Sequence, residues 1–228
     1  MEQKSLIYTM NLLGKRILDA VETSNLLITN ERYYDAYIMV GHAFETCAIL
    51  CYIKDCNNDT DRIERYNKYL ASSLHNILYK QCLEFFNDMA DDESWSLYLS
   101  ILNEFNTYGE SIIEKDKSHV SYIEQLRVRN SSNEQKKDIL RNNYKPIPVE
   151  YYISSFMKRL VKSKDRNWFN ESYRVYCGHK HSSFNTLANH AVGIDSNYIN
   201  RIKYLIEYIT KYMDSSIDED GNLIWVYL

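Results

Sequence analysis

Apolar residues recur along the chain at intervals of three and four for most of its length, which is the period of amphipathic helices rather than of strands. Leu6, Met10, Leu13, Ile17, Ala20 and Val21 carry that spacing first and predict a helix over residues 4–28. Asn30 suits the N-cap of a second helix running to about Lys54. Its centre, Ala36 to Cys51, is the most apolar stretch of the chain and is predicted to lie in the core. Asn57-Asn58-Asp59 signals a turn, and a third helical region covers residues 60–89. There Arg62, Arg65 and Lys68 keep to one side, away from Ile63, Tyr66, Tyr69 and Leu70. Asp91-Asp92 marks the next turn. A helix over 93–114 follows, with Trp95, Leu97, Tyr98, Ile101, Leu102 and Phe105 as its apolar set and Gly109 weakening its end.

Residues 115–148 are the most polar section. Asn130-Ser131-Ser132-Asn133 and Lys145-Pro146-Ile147-Pro148 are its loop signals, so it reads as a charged helical excursion followed by an extended linker. Helices are predicted again over 150–162, from Trp168 through the histidine-rich segment near 180, and over 196–213. The apolar tail Leu223 to Leu228 reads as a strand or as an extended segment packed on the body. The expected fold is all-α: a multi-helix bundle of long antiparallel helices in one domain, 1–228, with the polar excursion at about 115–148 and a short extended C-terminal tail.

Composition supports that fold. Only two prolines and six glycines interrupt 228 residues, which favours long helices. Hydrophobic residues make up 45% and charged residues 25%, a globular balance. The net charge of −4 argues against a generally basic nucleic-acid binder and leaves room for a local basic patch. The five cysteines form no Cys-x-x-Cys pair and read as buried free thiols in a reducing compartment. Lys4, Lys15 and Arg16 interrupt the early apolar residues, so no signal peptide is visible, and no run of 18 apolar residues suggests a membrane span. A cytoplasmic protein without membrane contact is expected.

Candidate chemistry concentrates in Tyr173-Arg174-Val175-Tyr176-Cys177-Gly178-His179-Lys180-His181-Ser182-Ser183. On an unbroken helix each residue turns about 100°. Arg174 and His181 then share a face, whereas His179 stands about 140° from Arg174. A break at Gly178 would make His179 competitive. Tyr173 and Tyr176 flank the pair. Arginine is a permanent forked cation suited to phosphate, and histidine exchanges protons near neutral pH. Together they suit metal-free RNA cleavage, in which the 2′-hydroxyl attacks the adjacent phosphate. A structural role, bonding neighbouring carbonyls and acids, is the alternative.

His42 and Glu45 lie three apart on one face of the apolar second helix. A carboxylate there is costly to bury unpaired, so Glu45 is expected to meet a cation or hydroxyl of the late helix, Arg174 or a histidine among the choices. Lys158, Arg159, Lys162, Lys164 and Arg166 form a basic cluster able to track an RNA backbone, or simply a solvated helix end. The histidine spacings match no zinc signature, and no phosphate-binding glycine loop, dinucleotide fingerprint or nucleophile elbow occurs. No metal or cofactor is expected.

The Arg-x4–6-His spacing from Arg174 resembles the signature of the HEPN superfamily. That resemblance implies a helical, usually dimeric protein. Many members are metal-independent endoribonucleases of toxin–antitoxin, abortive-infection and CRISPR systems, and the two signatures of a dimer form one composite site. A second resemblance, over about residues 30–190, is to a bacterial all-helical family of unknown function. It rests on Ala43-Phe44-Glu45 and Leu50-Cys51-Tyr52-Ile53 early, and on Tyr173, Tyr176-Cys177 and His181-Ser182-Ser183 late. His42 stands near the position where that family usually has an arginine, and Tyr176-Cys177 replaces its Leu-Ser. The implied reading is a homodimeric ribonuclease of a toxin or phage-defence system acting on RNA. The alternative is a non-catalytic helical interaction module, such as a sensor, adaptor or antitoxin-like partner of another protein.

Overall fold

A computed structural model describes residues 2–56, 58–84, 91–112, 119–160, 165–180 and 196–216. Nine α-helices and no strand occur among them, so the fold is all-α. The chain packs as two compact units, Met1–Asn58 with Val149–Leu228, and Asp59–Pro148.

The first unit is organised around α2 (Tyr33–Lys54), of which 15 of 22 residues are buried. A helix apolar on every side has no solvent face and must be enclosed. Length and composition alone would let α2 cross a membrane, yet most of it is buried inside the protein, as a core helix is. It pairs with α1 (Glu2–Thr29) through a three-residue turn. There Glu31 adopts φ 59°, Glu31 N–H donates to the Ile28 carbonyl and Arg32 N–H to that of Leu27. These are the two bonds of a Schellman closure, with glutamate at the left-handed position where glycine is usual. Asn30 therefore closes α1, its side-chain amide donating to the Leu26 carbonyl, rather than capping α2. The residue at the N-cap of α2 is Arg32, without a side-chain cap bond, and it pairs with Asp35 at 2.7 Å.

Three later helices of this unit pack on α2: α7 (Val149–Leu160), α8 (Arg166–Lys180) and α9 (Ser196–Asp214). Phe44 meets Phe156 of α7 edge-on at 5.3 Å and Phe169 of α8 at 5.9 Å, while Tyr37 tilts against Tyr198 of α9 at 5.0 Å. Each such ring contributes about 1.5–3 kcal/mol by leaving water. At the C-terminal end of α2, Lys54 is buried but bonded, donating to the Ser216 hydroxyl at 3.1 Å and lying over the Tyr212 ring.

The second unit contains α3 (Asp59–Glu84), α4 (Asp92–Tyr108), a 3-10 turn (Gly109–Ser111), α5 (His119–Leu126) and α6 (Asn133–Asn143). The segment read from sequence as a polar excursion supplies part of its core. Ile123, Leu126, Leu140 and Tyr144 pack with Leu78, Tyr98, Leu102 and Phe105. Ser132 opens α6 with a capping box to Gln135, which explains the loop-like composition just before it. Lys136 looks solvated in the sequence, yet it is buried with its ammonium over the Trp95 and Tyr98 rings at 4.6 and 5.1 Å. Nor is the Lys145–Pro148 stretch loose: the Ser72 hydroxyl donates to the Ile147 carbonyl and accepts from its N–H. The apolar tail Leu223 to Leu228 lies outside the described residues.

Candidate functional site

Helix α8 carries the chemistry-rich window as far as Lys180, and its position is fixed by α2. Phe169, Ser172, Tyr173, Tyr176 and Lys180 follow one another at steps of three, one, three and four, so they share a face. That face meets α2. The Tyr37 hydroxyl donates to the Ser172 carbonyl at 2.8 Å. Gly41 lies under Tyr176, so close that a Cβ placed there would sit 2.0 Å from Cδ2 of the ring. Glu45 accepts from Lys180 Nζ at 3.1 and 3.2 Å and from the Tyr173 hydroxyl at 3.3 Å.

Glu45 is thus buried and paired, as the cost of an isolated carboxylate demands; its partners among the described residues of the late helix are Lys180 and Tyr173, and the exposed Arg174 is not one of them. Lys180 also lies 5.6 Å from the centre of the Tyr176 ring. Burial raises the Tyr173 phenol well above its usual range, helped by Cys177 and by the Glu45 charge. Burial and the same carboxylate do likewise for Tyr176. Both phenols stay protonated at any pH of interest, and the half-buried Cys177 thiol is also pushed up, chiefly by burial, so it is a poor nucleophile.

On the other flank of Glu45, one turn earlier in α2, His42 accepts at Nε2 from Arg16 Nε of α1 at 2.9 Å. That bond needs an unprotonated Nε2. Burial lowers the His42 pKa, and the neighbouring Arg16 charge lowers it further. A neutral acceptor imidazole is therefore the resting state. Arg16, His42, Glu45, Tyr173 and Lys180 form a polar seam joining α1, α2 and α8.

The opposite side of α8 is different. Arg174 is exposed. The helix continues through Gly178 to Lys180 without a break, so position 179 falls about 140° around the axis from 174. The His179 side chain and all of His181 to Ser183 lie outside the described residues. In the basic cluster Lys158 is exposed, and Arg166 donates to the Lys158 carbonyl at 3.0 Å, tying α7 to α8. Lys162, Lys164 and the Arg159 side chain lie outside the described residues. Among the described residues no group of three His, Cys, Asp or Glu side chains could hold a metal ion.

Sequence reasoning singled out Glu45, His42, Tyr173 and Tyr176 but passed over Arg16, Gly41 and Lys180. The signal for Lys180 was present: it stands seven residues from Tyr173 and four from Tyr176, on their face. Arg16 and Gly41 gave none, because only the hairpin brings 16 to 42, and only the packing of α8 makes Gly41 a contact. No family model, curated protein or solved structure matches this chain.

Proposed function

We propose that this chain is a metal-independent endoribonuclease of HEPN type that works as a homodimer in a toxin or phage-defence setting. The observation that carries the reading is the two-sidedness of α8. One face is locked to α2 through Ser172, Tyr176 and Lys180, and the other offers the Arg174 guanidinium to solvent. A rigid backing of this kind is what a positioned phosphate ligand requires. The helix also runs unbroken as far as Lys180, in keeping with Arg174 and His181, rather than His179, as the working pair.

In this mechanism Arg174 binds the phosphoryl oxygens and stabilises their developing charge. The 2′-hydroxyl loses its proton as its oxygen attacks the adjacent phosphorus. The bond to the 5′-oxygen breaks, and that oxygen gains a proton. His181 handles one of these transfers in each protomer of the composite dimer site. The products are a 2′,3′-cyclic phosphate and a 5′-hydroxyl. Incubating the purified protein with RNA in excess EDTA and identifying the product ends tests this directly. Folded, dimeric protein that cleaves no RNA, or that leaves 3′-hydroxyl ends, overturns it.

A second reading, a helical interaction module, draws on another observation. Tyr8, Leu12, Leu18 and Leu26 of α1 are 66, 49, 44 and 59% exposed. Exposed apolar side chains spread along one helix suit a protein partner. Full-length protein that binds a partner but cleaves nothing would favour it.

A further inference from the structure

Helices α8 and α9 border a cavity of about 610 Å³, away from Glu45 and its partners. Among the described residues its walls are Asp165, just before α8, and Trp168 from the first turn of α8, with Asn197, Asn200, Arg201 and Tyr204 from α9. The α9 residues stand three, one and three apart, so a single helix face supplies two carboxamides, a guanidinium and a phenol ring. Trp168 and Tyr204 meet edge to face at 4.6 Å and make the aromatic part of the wall. The volume is that of a small-ligand site, far larger than an inorganic ion needs.

Arg201 is the second observation. Its guanidinium lies 5.8 Å from the centre of the Trp168 ring, and Nη2 reaches Glu171 at 3.4 Å. Nη1 is buried and has no hydrogen-bond partner among the described residues. Buried donors are rarely left so in a native protein. Arg201 lines the cavity, so in this reading its guanidinium turns to bring Nη1 to an acceptor there, with Glu171, itself largely exposed, releasing Nη2. Opposite charge in the same cavity comes from Asp165, which accepts only. The cavity thus presents a forked cation for an anion, a carboxylate for an N–H donor, two amides that both donate and accept, and aromatic walls for a planar group.

Resting on the ribonuclease reading above, we propose that this cavity binds one nucleotide unit, its phosphate at Arg201 and a base bearing an exocyclic amine at Asp165, Asn197 and Asn200. Base–aromatic contact with Trp168 and Tyr204 supplies the sequence-tolerant part of the binding. Asp165 supplies discrimination: adenine and cytosine bring an exocyclic amine for it to accept from, whereas uracil has a carbonyl there and offers only its ring N3–H.

The full chain is titrated, by calorimetry, with AMP, CMP and UMP, and with 2′-O-methyl hexamers of A and of U, which present the same unit but cannot be cleaved. AMP and CMP are expected to bind at least tenfold more tightly than UMP. Arg201→Gln should weaken AMP at least tenfold, and Asp165→Asn should erase the preference over UMP. If the A hexamer binds tenfold more tightly than AMP, the site reads a strand; if it binds no more tightly, the site takes free nucleotide. No binding of any probe, or Arg201→Gln binding as wild type, overturns the proposal. Should Arg201→Gln lose the helical spectrum, Asn200→Asp, at an exposed position, must weaken AMP instead, and unchanged affinity there is equally fatal. Arg174→Ala lies outside the cavity and separates the two readings. Nucleotide binding without RNA cleavage in wild type sinks the ribonuclease alone, and cleavage without nucleotide binding sinks only this site.

Discussion

Gly41 and Tyr176 pack with no room between them: a methyl group on Gly41 would overlap the aromatic ring, 2.0 Å from Cδ2 and 2.4 Å from Cε2 and Cγ. Tyr176 is buried, so its ring has no solvent to move into. This contact, with the Glu45–Lys180 pair one turn further along the two helices, sets where α8 stands.

Gly41→Ala should therefore destabilise the protein by about 2–3 kcal/mol, the cost of overpacking, although alanine is the better helix former. Chemical denaturation should show a lower midpoint. Combining it with Tyr176→Leu should restore part of the loss, and simple additivity of the two substitutions would show that the clash is not the cause.

The Glu45–Lys180 pair makes a second prediction. Lys180→Met leaves a buried carboxylate with the Tyr173 hydroxyl but no cation, and should cost about 1–2 kcal/mol, held down because Lys180 is itself 42% exposed. Glu45→Met with Lys180→Met removes both charges together and should be closer to wild type than Lys180→Met alone. Equal midpoints for Lys180→Met and wild type would show that the pair does not anchor α8.

The fold was legible where the helical period is strong. The apolar run Ala36 to Cys51 reads as core and is core, and the helices near 4–28, 150–162 and 196–213 stand within a few residues of their predicted bounds. In residues 115–148 the helices and the extended stretch at Lys145–Pro148 were legible, but their part in the core was not, for a physical reason. Lys136 and Lys137 are polar in sequence yet have buried side chains, and a capping box resembles a loop until the helix after it is seen. The need for a partner at Glu45 could be argued from burial cost alone. Which partner could not, because the register of α8 on α2 is decided by Gly41, whose lack of a side chain leaves no pattern to read.

Stability should also depend on pH through His75. It is buried in the second unit against the Tyr79, Phe105 and Tyr144 rings, and burial lowers its pKa below the usual histidine value of about 6.5. The unfolded chain then binds a proton that the folded chain refuses, so stability rises with pH in that range. Above about pH 7 the group is neutral in both states and contributes nothing. Below about 6.5 stability should fall, by up to about 1.4 kcal/mol per pH unit, until the folded-state pKa is reached. His42, also lowered, adds to the fall with the same sign. Denaturation midpoints from pH 8 to 5 test this; His75→Gln should flatten the slope, and an unchanged slope would exclude His75 as its source.

Arg174 offers the cleanest division between chemistry and stability. It is exposed on the face of α8 away from α2, whereas Lys180 and Tyr176 serve the packed face. Arg174→Ala should leave the denaturation midpoint within about 0.5 kcal/mol of wild type, as exposed substitutions do. In the ribonuclease reading it should nonetheless abolish RNA cleavage and any growth toxicity. His181→Ala should do the same, since a proton-transfer group contributes about a hundredfold to ten-thousandfold in rate. His179→Ala should be milder, because the unbroken helix places position 179 well away from the Arg174 face. EDTA should change none of these rates. If Arg174→Ala cleaves like wild type at the same stability, the guanidinium is not part of the chemistry, and the interaction-module reading is the one to keep.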